Sequence, residues 1–305
     1  MNGLVIKSTG SWYDVKTPDG NIIKSRVRGK FKIQGMKVTN PVAVGDQVVM
    51  DLEDDGQGII HTIAPRENYL IRRSTRKTAF GHILASNIDL AVVIATITFP
   101  RTSLGFIDRF LVAAESFRIP ALLVINKADM WNEDACEIVQ SLKEIYTRIG
   151  VDFITISAID GKNMDLLLQK LKNKTSLVAG HSGVGKSTIL NALSPEIAQK
   201  TAEVSTYANK GTHTTTFAEM FEIAENTNVI DTPGIKELGL MDIYDEEISH
   251  FFPEMRDLLG QCKFHNCSHT HEPGCVVMDA VEKGEISMTR FESYLSMMDG
   301  SDDHR

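Results

Sequence analysis

The order of two short motifs constrains this chain more than any other feature. Asn126-Lys127-Ala128-Asp129 has the form of a loop that reads a guanine base. Gly180-His181-Ser182-Gly183-Val184-Gly185-Lys186-Ser187-Thr188 has the form of a phosphate-binding loop. In the usual arrangement the phosphate loop comes first and the base-reading loop lies well after it. Here the order is reversed. Either one match is accidental, or the chain is circularly permuted.

The surrounding pattern argues against accident. Continuous apolar runs at 89–97, 121–126, 152–157 and 176–180 alternate with helix-like stretches at 104–117, 133–148 and 163–172. Such runs predict an α/β domain with a parallel sheet covered on both faces. A helix is expected at 186–193, and two more strands within 217–223 and 227–232. The phosphate loop therefore follows a strand and opens a helix, the setting that gives the motif its chemistry. Its glycines let backbone N–H groups turn inward around phosphates. Lys186 is expected to reach the β- and γ-phosphates and Ser187 to bind Mg²⁺.

Asp231-Thr232-Pro233-Gly234 ends the last of these strands. Asp231 is expected to serve the Mg²⁺ shell, and the Gly234 N–H to sense the γ-phosphate. Between the two phosphate motifs lies Thr-rich 209–217, where Thr215 is the preferred Mg²⁺ ligand and Thr214 and Thr216 stay open. The Asp129 carboxylate can accept two hydrogen bonds from guanine, a donor pair that adenine lacks. The backbone of Ser157-Ala158 is expected to meet the base carbonyl. With base motifs first and phosphate motifs second, the reading is a permutation, 171–175 joining the usual ends and the new ends falling after Gly234. Residues from 235 onward would then continue directly from the segment that responds to hydrolysis.

Ras-like GTPases place a water-orienting Gln directly after this glycine. Here Ile235 stands there, so intrinsic turnover should be slow. His213, beside the threonines, is the candidate to position the water. His181 is a weaker one, because its side chain is expected to point away from the phosphates.

Cys262, Cys267, His269 and Cys275 form a C-x₄-C-x-H-x₅-C array. Three thiolates and one imidazole suit a closed, structural zinc site. His265 and His271 compete for the fourth position on spacing alone. Cys136 lies far away in a predicted helix and is assigned to packing.

The 305 residues carry a net charge of −8, which at first argues against nucleic acid, but the average hides a patch. Residues 1–40 hold eight basic side chains against two acidic ones, and 72–77 add four more basic residues. Such patches can be the footprint of an RNA partner. Five short strand-like segments in the first 66 residues suit an OB-fold barrel, with an SH3-like barrel not separable by spacing. No apolar run approaches membrane-spanning length, and the N-terminus lacks a signal-peptide core, so a cytoplasmic protein is expected.

Taken in order, Asn126–Asp129, Gly180–Thr188, the 211–216 Thr run, Asp231–Glu237 and the Cys/His array make the chain similar to the RsgA (YjeQ, YloQ) family over nearly its full length. The resemblance implies three parts: an OB-fold RNA-binding domain at 1–66, a circularly permuted P-loop GTPase domain at 67–240, and a helical zinc-binding module at 241–305. It implies GTP and GDP as ligands, Mg²⁺, and one structural Zn²⁺ on Cys262, Cys267, His269 and Cys275. It also implies late maturation of the small (30S) ribosomal subunit, contact with 16S rRNA and ribosomal proteins, a monomer, and no membrane. The family often has Arg where this chain has Thr212. Two other readings are a GTP-dependent metal-delivery protein and a regulatory module that only senses GTP against GDP.

Overall fold

The computed structural model describes residues 1–28, 38, 40–73, 81–194, 218–232 and 243–300. The N-terminal strands are β1 (Asn2–Ser8), β2 (Tyr13–Lys16), β3 (Ile22–Val27), β4 (Gln47–Leu52) and β5 (Gly58–Ile63). They pair in the order β1-β2-β3-β5-β4, and β4 returns to β1, closing a barrel. β3 and β5 run parallel, with Ser25 opposite Gly58. An SH3-like meander has no such parallel pairing, so the barrel is OB-like. Val5, Tyr13, Val15, Val48, Met50 and Ile60 fill it, alternating with outward polar residues as the two-residue strand period requires.

A hairpin follows, β6 (Tyr69–Arg73) with β7 (Gly81–Ser86). Its Leu70, Leu84 and Ala85 belong to the core of the next sheet. Asp46 fastens the barrel to it. The buried carboxylate accepts from Arg66 Nε and Nη2, both at 2.7 Å, and from Ser86 Oγ at 2.6 Å.

The second sheet has the order β10 (Asp152–Thr155), β9 (Ala121–Ile125), β8 (Leu90–Ala95), β11 (Thr175–Ala179), β13 (Thr227–Asp231) and β12 (Glu219–Ala224). The first five are parallel, and β12 is antiparallel to β13. β8 is buried at every position, as a central strand covered on both faces must be. α1 (Leu104–Ser116) and α2 (Glu133–Arg148) cover one face. α3 (Met164–Leu171) and α4 (Lys186–Leu193) cover the other. α2 buries Ala135, Val139, Leu142 and Tyr146 and starts on Asn132, whose side chain accepts from Ala135 N. Cys136 falls on its outer face and is exposed, so the expectation that it packs is corrected.

The C-terminal part is less regular than its helix-like texture suggests. A 3₁₀ segment at Asp245–Phe251 leads into the single turn α5 (Pro253–Arg256). The stretch after Cys275 divides into α6 (Val276–Glu282) and α7 (Met288–Met298). Gly284, in left-handed conformation at φ 74°, stands between them. α1 is buried almost all round because one side meets the sheet and the other meets α7 and the 3₁₀ segment. Among the described residues, no helix is long and apolar enough to cross a membrane.

Candidate nucleotide site and metal cluster

Each described candidate residue of the nucleotide site lies at or just past the C-terminal end of a parallel strand, the edge where open α/β sheets bind ligands. β11 runs into Gly180, and Gly185 caps α4 with φ 99°. No other residue fits either position. A Cβ on Gly185 would lie 2.4 Å from Asn126 Nδ2, and one on Gly180 would lie 2.5 Å from Ile94 O. The loop can therefore press its backbone against the neighbouring strand ends. Lys186 Nζ donates to Gly180 O at 2.5 Å and His181 O at 3.0 Å, which holds the ammonium across the loop. Ser182, Gly183, Val184, Ser187 and Thr188 complete the turn and the first helical residues.

Asn126 shows why the two motifs must be neighbours. Its side chain is 3 % exposed. Its Nδ2 donates to Val184 O in the phosphate loop at 2.8 Å, while its Oδ1 accepts from Ala158 N at 3.2 Å. One amide thus ties three loops from three strands. Ser157 Oγ donates to Asp129 Oδ1 at 2.6 Å and accepts from Asp160 N at 3.2 Å, which fixes the carboxylate. Lys127, in left-handed conformation, donates to Phe99 O at 2.8 Å.

Asp231 closes β13 beside the phosphate loop. Burial pushes its carboxyl pKa up, Lys186 pulls it down, and Glu219 pushes it up again. Among the described residues, its buried Oδ1 has no hydrogen-bond partner, and neither has the hydroxyl of Thr232. Buried acceptors without donors are costly, and the hydration shell of a hard cation would satisfy them. The residues thus fit Mg²⁺. His181 places its ring centroid 4.1 Å from that of Phe106 on α1. Sequence reasoning missed Phe106, though an aromatic in the first turn of the helix after β8 was a usable signal. His213, Thr214, Thr215, Thr216, Gly234 and Ile235 lie outside the described residues.

In the C-terminal part, the ligand atoms of Cys262, Cys267, His269 and Cys275 all lie within 4.8 Å of one another. Cys262 Sγ to His269 Nδ1 is 3.6 Å, His269 Nδ1 to Cys275 Sγ 3.4 Å, and Cys262 Sγ to Cys275 Sγ 3.9 Å. Tetrahedral zinc bond lengths require edges of roughly 3.6 Å between S and N and roughly 3.8 Å between two S. The three edges among Cys262, His269 and Cys275 therefore have the dimensions of a zinc site, and Cys267 completes the donor set within 4.8 Å. Burial lowers the pKa of His269 and so keeps its ring neutral, as a ligand must be. His265 and His271 are both exposed and outside the group. Glu272 binds the turn between ligands, accepting from Ser268 N at 2.7 Å and Ser268 Oγ at 2.6 Å.

A chain that reaches its base-reading loops before its phosphate loop, yet brings all of them to one edge of one sheet, is a circularly permuted P-loop GTPase. The comparisons narrow this class. The RsgA GTPase model matches residues 63–241, and the RsgA N-terminal domain model matches 2–60. A small ribosomal subunit biogenesis GTPase RsgA from Cytophaga hutchinsonii is 52 % identical over 307 residues, covering 100 % of both chains. One from Bacteroides thetaiotaomicron is 48 % identical over 303 residues, covering 99 % of this chain and 98 % of its own. The crystal structure of YjeQ from Thermotoga maritima superposes with a TM-score of 0.76 at 34 % identity, covering 100 % and 99 % of the two chains. YloQ, described as a circularly permuted GTPase, gives 0.71 at 31 %, covering 100 % and 96 %. The chain belongs to the RsgA GTPase family.

Proposed function

We propose that this protein hydrolyses GTP to GDP and phosphate under stimulation by the small ribosomal subunit, late in that subunit's maturation in the cytoplasm. The observation that carries the chemistry is the Asn126 bridge, which joins the base-reading and phosphate loops into one site. The partner is supported by relatives named for small ribosomal subunit biogenesis. In this reading Asp129, Ser157 and Ala158 select guanine. Lys186 exchanges its carbonyl partners for phosphate oxygens, and the N–H groups of 180–188 cradle the phosphates. Ser187, Thr215 and Asp231 serve Mg²⁺, which neutralises charge on the phosphate oxygens when bound. Gly234 senses the γ-phosphate, and His213 positions the attacking water.

The barrel, taken as residues 1–66, is assigned to 16S rRNA. Lys24 lies 5.2 Å from the Trp12 ring centroid, so a base-stacking ring and a phosphate-binding cation stand together. OB-folds bind single strands with such pairs on their β2–β3 face and first loop. The zinc module, 241–305, holds one structural ion and gives a second contact. Four protein ligands leave no open position for delivery chemistry.

The deciding measurement is GTP turnover by the purified monomer with and without small subunits. Stimulation of at least tenfold is expected; an unchanged rate overturns the reading. His213→Ala should remove most of the stimulated rate, by about 10²-fold, and leave nucleotide affinity within about twofold. For the metal, Cys275→Ser should reduce bound zinc from about one per chain to none, read by elemental analysis. It should also open the 257–275 segment to protease, because Cys275 packs with Val277 and Tyr294 in the module core.

A further inference from the structure

Among the described residues, β1 of the barrel meets β12 through one register pair, Lys7 opposite Glu219, beside a cleft of about 700 Å³. Glu219 in turn stands directly opposite Asp231 on β13. Lys7, Glu219 and Asp231 therefore form one row across three strands, and directly opposed residues share a sheet face. Lys7 Nζ lies 2.8 Å from Glu219 Oε2, with both side chains about a third exposed or less, at 32 % and 26 %. Like charges directly opposite are unfavourable, so Glu219 beside Asp231 needs an explanation. The row supplies one: Lys7 balances the outer acid, and Lys186 acts on the inner one.

We propose that Glu219 is a second carboxylate of the magnesium site, and that Lys7, reaching it from the barrel, sets how much of its charge the metal feels. This rests on the reading of Asp231 as a metal-site residue. Glu219 attracts the ion through space rather than by ligation. Lys7 is a positioning residue, acting only through Glu219. Any anion that draws the Lys7 ammonium off Glu219 strengthens the hold on the metal. Occupancy of the barrel is thereby connected to the nucleotide site across two strands, without movement of the sheet.

The test is a Mg²⁺ titration of full-length protein carrying a fluorescent GDP, read as the Mg²⁺ concentration that half-saturates the signal. Lys7→Met should lower that concentration about two- to fivefold, and Glu219→Gln should raise it by a similar factor, the range expected of a partly exposed pair. The double variant should match Glu219→Gln alone. A cooperative thermal melt and retained metal-free GDP binding show that each variant is folded; a small shift in melting temperature is expected from the altered Lys7–Glu219–Asp231 charge balance. An unchanged midpoint in Lys7→Met, or additive effects in the double variant, overturns the proposal. Asp231→Asn separates the two levels: if it also leaves the midpoint unchanged, the reading of the metal site itself fails. If Asp231→Asn weakens Mg²⁺ while Glu219→Gln does not, only the present inference falls.

Discussion

Arg290→Met is expected to cost about 3–5 kcal/mol of stability, a size typical of removing one partner from a buried charge cluster. Arg290 lies on α7 and is 2 % exposed. It donates to Asp108 Oδ1 on α1 at 2.8 Å and to both oxygens of Glu254 on α5, at 2.7 and 3.2 Å. Its guanidinium also stacks 4.5 Å from the Phe252 ring centroid, and Tyr146 on α2 donates to the same Asp108 oxygen at 2.8 Å. Burial alone would lower the arginine pKa; Asp108 and Glu254 outweigh it and raise it instead. The charge is thus retained in the interior because two acids surround it. Methionine keeps the stem and removes the charge, leaving both acids facing apolar surface. Asp108→Asn combined with Arg290→Met should therefore lose less than the sum of the two single variants. Denaturant unfolding of the full-length protein gives the numbers. A loss below about 1 kcal/mol, or additive effects, would show that the cluster does not hold the C-terminal helices to α1.

That cluster also shows where the sequence stopped being informative. The strand and helix pattern of the nucleotide domain was legible because buried parallel strands are continuous apolar runs, and α1 and α2 start on the capping side chains Ser103 and Asn132. Whole-element readings at 104–117 and 133–148 differ from α1 and α2 by at most one residue. The OB-like barrel was legible as five strands but not as a topology. Its deciding feature is the parallel β3–β5 pairing, a contact between residues more than thirty apart that leaves no local trace. The pairing of β6 with β7 escaped because 72–77 read in the sequence as a basic patch and no turn dipeptide stands between the two strands. Arg290 escaped for a different reason. Its neighbours Phe291, Tyr294 and Met297 are buried, so it stands on the core stripe of its helix, where an arginine needs partners. Those partners are 36 and 182 residues away, and pattern alone cannot name them. The Cys/His cluster was narrowed by spacing, and burial distinguishes its histidines, since His269 is buried within the group and His265 and His271 are exposed and outside it.

Asp129→Asn is expected to lower GTP affinity about 10²- to 10⁴-fold, the loss of charged hydrogen bonds plus the penalty of unpaired donors. The local geometry makes the outcome more specific than loss of charge. Ser157 Oγ donates to Asp129 Oδ1 at 2.6 Å, so that oxygen must remain an acceptor. In the D129N protein the amide oxygen takes this place and keeps the loop intact. The NH₂ group is then the part turned to the base. Guanine presents two donors there, and donor would face donor. Xanthine carries a carbonyl in place of the exocyclic amine, and that carbonyl can accept from the new amide. The preference should therefore invert, with xanthosine diphosphate displacing a fluorescent nucleotide from D129N better than GDP does. Asn126 does not touch this exchange, because its amide is occupied by Val184 and Ala158. Competition titrations on the parent and the variant measure the ratio directly. A D129N protein that still prefers GDP would mean that the guanine amine is read elsewhere. Equal loss of both nucleotides would mean that Asp129 holds the loop and does not read the base.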